Sequence, residues 1–145
     1  MNLKSVWIAL LAFGVAFHAG AVMPVNPDAA LQKAGSFAMG GVGVAGTMSA
    51  GESALRQILG ATDAVSKLES LISSASPAGQ LYALLGLRSK NRAAYERALE
   101  KLKSVDAKVE TARGCMLQQE SFRDLVKEIE RGGYDTYLSR EWPSR

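Results

Sequence analysis

The sequence predicts an all-α protein: five or six short helices in antiparallel pairs, a stack of helical hairpins, with one short extended segment near 105–113. Three observations predict it. Apolar residues recur at helical spacing through most of the chain after residue 50. Ser, Thr, Asn and Pro stand where helix starts need them. Only one stretch alternates apolar and polar residues as a half-buried strand does.

The first helix opens at Asn26-Pro27-Asp28, with Asn as cap, Pro in the first turn and Asp complementing the helix dipole; Gly35 ends it. Residues 36–48 are apolar and glycine-rich, so the 22–48 region is expected to be partly irregular. Ser49-Ala50-Gly51-Glu52 has the capping-box pattern and leads into Leu55, Ile58 and Leu59, closed by Gly60. Thr62 can cap the next helix, whose stripe is Val65, Leu68, Leu71, Ile72 and Ala75. Ser76-Pro77 starts another, carrying Leu81, Leu84 and Leu85 to about Arg88. Asn91 caps a helix with Tyr95, Ala98, Leu99 and Leu102.

The period then changes. Val105, Ala107, Val109 and Thr111 alternate with Asp106, Lys108 and Glu110 until Gly114. Ser121 and Asp124 open a helix with Phe122, Leu125, Val126 and Ile129, terminated by Gly132-Gly133. Tyr134, Tyr137 and Leu138 suggest one last turn, and 139–145 reads as a loose tail on which Trp142 could dock.

Residues 1–21 read as a cleavable secretory signal: Lys4, an uncharged apolar run from Val6 to Phe17, then Ala19-Gly20-Ala21 with cleavage expected after Ala21. A membrane anchor needs about 20 predominantly apolar residues, and this run falls short while including His18 and glycines. No stable membrane span is therefore expected after cleavage, and the 22–138 region is expected to be a single domain, periplasmic or secreted.

With the leader gone, sixteen basic and fourteen acidic residues remain, too even a balance for a nucleic-acid partner. His18, the sole histidine, leaves too. That excludes Ser-His-Asp and Cys-His mechanisms and the usual histidine-containing zinc sites, so no metal and no cofactor is expected. Cys115 is the single thiol and cannot form an internal bridge. The expectation is a buried cysteine acting as a small apolar residue; a reactive thiol or an intermolecular disulfide is the alternative.

Gly41-Val42-Gly43-Val44-Ala45-Gly46 satisfies G-x-G-x-x-G, but no convincing strand precedes it and the next helix begins too late, so a tight connector is expected rather than a dinucleotide site. Arg88, Lys90, Arg92 and Arg97 beside Tyr82 and Tyr95 form the one local basic-aromatic cluster. Tyr82, Arg88, Arg92 and Tyr95 are the candidate partner-binding residues, because arginine pairs bidentately with anions and tyrosine is favoured at interfaces. The competing reading is a solvated helix face with Arg92 and Glu96 paired. Glu96 with Glu100, and Glu120 with Asp124 and Glu128, share helix faces as glycosidase carboxylates could. Basic neighbours three or four positions away fit an ordinary charged surface better.

The stretch Gly79-Gln80-Leu81-Tyr82-Ala83-Leu84-Leu85-Gly86-Leu87, with Tyr95 and Gly114-Cys115 downstream, resembles a pattern in small exported bacterial proteins of unknown function; Phe37 to Gly46 looks similar as well. The resemblance implies an extracytoplasmic helical domain and carries no activity. The functional expectation is an exported, non-enzymatic binding protein whose partner is another protein or an anionic envelope component. The alternative is a carboxylate-dependent cell-wall glycan hydrolase, and a periplasmic inhibitor or immunity protein is a special case of binding.

Overall fold

The computed structural model describes residues 25–141. The expected leader, with Ala19 and Ala21, lies outside the described residues, as does Trp142. Helices α1 (Pro27–Gln32), α2 (Ala50–Leu59), α3 (Ala64–Ser74), α4 (Pro77–Lys90) and α5 (Arg92–Leu102) are followed by α6 (Phe122–Glu130) and α7 (Asp135–Ser139). Three strands complete the described fold: β1 (Ser36–Phe37), β2 (Lys108–Arg113) and β3 (Met116–Ser121).

The fold is mixed, which corrects the all-α expectation. The three strands form one sheet in the order β1-β2-β3. β1 runs parallel to β2, with Ser36 opposite Glu110 and Phe37 opposite Thr111. β2 and β3 form an antiparallel hairpin from Lys108 opposite Ser121 to Arg113 opposite Met116. The extended segment near 105–113 is therefore half of a hairpin, and Gly114-Cys115 is its two-residue loop. Gly114 supplies the positive φ, +58°, that such a tight turn demands.

The stack of antiparallel pairs is also replaced. Every residue of α4 from Ala78 to Leu87, except Gln80, is buried, and α1, α2, α3, α5 and α6 all pack on it. A helix apolar around its whole circumference needs cover on all sides, so the other helices gather round it. Gly79 permits the closest approach: a methyl there would overlap the Leu31 carbonyl oxygen of α1.

Local caps follow the residue types. Asn26 accepts the Asp28 N–H at 3.0 Å, Ser49 accepts from Glu52 at 3.0 Å, Ser76 accepts from Gly79 at 3.1 Å and Asn91 accepts from Ala94 at 2.9 Å. The start of α3 differs, because its cap is Asp63, one residue beyond Thr62, and its side chain caps no amide but pairs with Lys67 at 3.2 Å. The glycine-rich stretch is a tight loop with positive φ at Gly40, Gly41, Gly43 and Gly46.

Candidate functional site

The four expected contact residues do not form one surface. Tyr82 is fully buried, because its helix has no open face. Its hydroxyl accepts the Ala38 N–H at 2.8 Å, donates to the Ala38 carbonyl at 3.0 Å and lies 3.2 Å from Ser49 Oγ. Burial pushes the Tyr82 pKa up, against the lowering effect of these hydrogen bonds. Tyr82 is thus an internal strut joining α4 to the 38–49 segment, not a contact residue.

Tyr95 is also buried, and its hydroxyl has no hydrogen-bond partner among the described residues. Burial is the main cause of its raised pKa; nearby Glu130 adds to the rise and Arg88 opposes it. Arg88 donates from Nη1 to both carboxylate oxygens of Asp135, at 2.9 Å each, and so clamps α7 to the end of α4. Arg92 alone of the four stands in solvent, 2.7 Å from Glu96. Arg97 pairs with Glu69 at 2.6 Å. Three arginines of the expected basic patch are therefore each matched by a carboxylate, which leaves little positive field for an anion.

A second arginine holds α7 from the other side. Glu52 is wholly buried, accepts from Gly40 N–H at 2.9 Å and pairs with Arg56 at 2.9 Å. Arg56 in turn donates to the carbonyls of Tyr137 at 2.6 Å and Leu138 at 3.4 Å, at the C-terminal end of α7 where a cation is favoured. Periodicity could not expose this network, because its partners are some 80 positions apart in the chain.

The G-x-G-x-x-G loop spends the amides of Val42, Gly43 and Gly46 internally. The N–H of Val42 donates to Thr47, Gly43 to Gly114, Gly46 to Gly43 and Thr47 to Val42, at 2.8–3.1 Å. A phosphate cradle needs such N–H groups free and pointing outward. Cys115 is exposed, which corrects the expectation of a buried thiol: it occupies the hairpin tip, where a two-residue loop turns away from the core. Among the described residues no three His, Cys, Asp or Glu side chains gather as metal ligands would. None of their helices is long and apolar enough to cross a membrane.

The carboxylates also separate. Glu96 and Glu100 line an open groove of about 460 Å³ between α5 and α6. Glu128 lines a different, smaller cavity of about 70 Å³ beside Phe37, Tyr134 and Tyr137, and pairs with Arg131 at 2.7 Å. Burial, aided by Glu120 and Glu128 and opposed by Arg113, pushes the Tyr134 pKa up to about 12.

Among the described residues the α5–α6 groove is a wide concavity with a mixed apolar and charged lining. Both helices lean on α4, and the space between them is floored by Leu102 and Phe122, with the half-buried Leu99 and Val126 on its flanks. The α5 wall carries Glu96 and Glu100; the α6 wall carries Arg123 and Lys127. Lys103 and Glu130 complete the lining. Sequence periodicity finds the apolar face of each helix but not the gap between two helices that share a support.

Comparison with family models, with curated proteins and with solved structures finds no match for this chain.

Proposed function

We propose that this is an exported, non-enzymatic binding protein that receives an amphipathic helical segment of another protein in the α5–α6 groove. The observation that supports the reading is the groove's composition: half-buried Leu99 and Val126 above a floor of Leu102 and Phe122, under a rim with Glu96, Glu100 and Lys103 on the α5 side and Arg123, Lys127 and Glu130 on the α6 side. An amphipathic helix presents one apolar stripe flanked by polar edges. A segment with an apolar stripe and both signs of charge along its edges complements the apolar flanks and the mixed rim. Setting outside the cytoplasm rests on the leader and on the resemblance of the 79–87 stretch to exported bacterial proteins.

The test compares affinity capture from envelope extract by the wild type, by Val126→Glu and by Lys101→Glu. Val126 flanks the floor, whereas Lys101 is exposed on α5 and does not line the groove. A partner retained by wild type and Lys101→Glu but lost by Val126→Glu supports the groove. Equal retention by all three rejects it.

The glycan-hydrolase reading is favoured by one feature, the three carboxylates Glu96, Glu100 and Glu130 in the same groove. Glu96 is held by Arg92 and Glu100 by Lys103, as exposed surface pairs commonly are. Release of soluble fragments from cell-wall polymer by the purified protein, abolished in Glu96→Gln, would replace binding with hydrolysis. An inhibitor or immunity role is the binding reading with a secreted toxin as occupant.

A further inference from the structure

Strand β3 closes one side of the sheet, with β2 along one edge and no strand along the other among the described residues. Edge strands are commonly guarded by brevity, proline, lysine or a bulge. β3 has none of these: it runs for six residues as Met-Leu-Gln-Gln-Glu-Ser. Its single charge, Glu120, is turned back onto its own chain, 2.7 Å from Thr111 Oγ1 and 3.6 Å from Arg113. Exposed large apolar side chains gather at the same end. Met116 and Leu117 are 61% and 68% exposed, and Val44 is 97% exposed on the loop tied to Gly114 through Gly43.

The hairpin dictates which main-chain groups are open. A two-residue loop makes Arg113 and Met116 the first hydrogen-bonded pair. Alternation then aims the amides and carbonyls of Met116, Gln118 and Glu120 at β2, and those of Leu117 and Gln119 outward.

We infer that β3 pairs antiparallel with β3 of a second copy of this chain, about a two-fold axis at Gln118. Outward groups can meet only outward groups, so the centred register sets Leu117 against the second copy's Gln119, and Gln118 against the second copy's Gln118. The two sheets become one of six strands. The strand is uncharged from Cys115 to Gln119, so two copies meet edge to edge without the like-charge repulsion that keeps charged edge strands apart. Leu117 and its symmetry mate become diagonal neighbours on one sheet face, within reach of each other. A self-complementary patch of this kind gives a closed dimer.

Sedimentation of the full protein tests the pairing. Wild type is expected to show a concentration-dependent monomer–dimer equilibrium. Gln119→Pro removes an outward N–H while sparing the bonds to β2, and is expected to raise the dimer dissociation constant by about tenfold or more. Gln118→Cys in a Cys115→Ser background places two thiols across the axis at a spacing that suits a disulfide. It should form a covalent dimer on mild oxidation far faster than Lys101→Cys in the same background. A wild-type monomer at every concentration up to about 1 mM, or equal cross-linking at positions 118 and 101, overturns the inference.

Discussion

Helix α4 is covered on every side, whereas strand β3 is covered along one edge only, and the two use their side chains in opposite ways. Leu81, Leu84, Leu85 and Leu87 are fully buried against the helices around them, and Tyr82 spends its hydroxyl on Ala38 and Ser49. Nothing on α4 between Ala78 and Leu87 except Gln80 is left to meet another molecule. Met116 and Leu117 on β3 touch little and stand in solvent. The α5–α6 groove lies between these extremes, its floor buried and its rim charged. Cover of the central helix is what holds the molecule together, and the elements leaning on it supply the exposed surface.

Several substitutions can break or sharpen that contrast. Leu84→Ala should cost the most, about 3–5 kcal/mol, through lost transfer energy and the cavity left behind; denaturant unfolding measures it. Glu52→Ala takes the carboxylate from Arg56 and leaves the Gly40 N–H without its partner, and should cost roughly 3 kcal/mol. In that variant, protease sensitivity should rise first at α7, which Arg56 holds. Tyr82→Phe leaves the buried Ala38 N–H without its partner, while the Ala38 carbonyl keeps Ser49 Oγ, and should cost about 1–3 kcal/mol. Leu117→Ala should change the stability of dilute protein by less than about 0.5 kcal/mol. A Leu117→Ala cost equal to that of Leu84→Ala would erase the distinction between the two regions.

Alkaline pH probes the same buried framework. Tyr134 in the folded protein ionises near 12 and an unfolded tyrosine near 10. The folded state keeps a proton that the unfolded state has already lost. This contribution is therefore complete below pH 10 and is lost as pH rises from about 10 to 12. Tyr82 and Tyr95, raised by burial as well, act in the same direction. Stability followed against pH should fall across that window, and less steeply in Tyr134→Phe.

Most helix starts were legible because capping is local. Asn26, Ser49, Ser76 and Asn91 each bond an amide two or three residues ahead, within reach of a short motif. The sheet was legible only in part. Val109 and Thr111 alternate as half-buried strand residues must, but Met-Leu-Gln-Gln-Glu-Ser carries no apolar alternation because neither of its faces is well covered. The parallel pairing of Ser36 and Phe37 with Glu110 and Thr111 joins positions far apart in the chain and leaves no local mark. Gly114-Cys115 was the available signal, a Gly-X pair suited to a two-residue hairpin. The candidate site was less legible. The basic-aromatic cluster is contiguous in sequence, yet Tyr82 and Tyr95 point into the core and Arg88 is consumed by Asp135. Individual groove residues stand in the periodic pattern; their meeting across α5 and α6 depends on both helices resting on α4.

Amide hydrogen exchange of the protein, alone and with its captured partner, tests most directly whether recognition resides in that groove. The account expects partner binding to slow exchange in residues 96–103 and 122–130 and to leave exchange in α4 unchanged. Protection confined to the 40–47 loop, or to the surface around Arg92 and Glu69 with none in the groove, would contradict it.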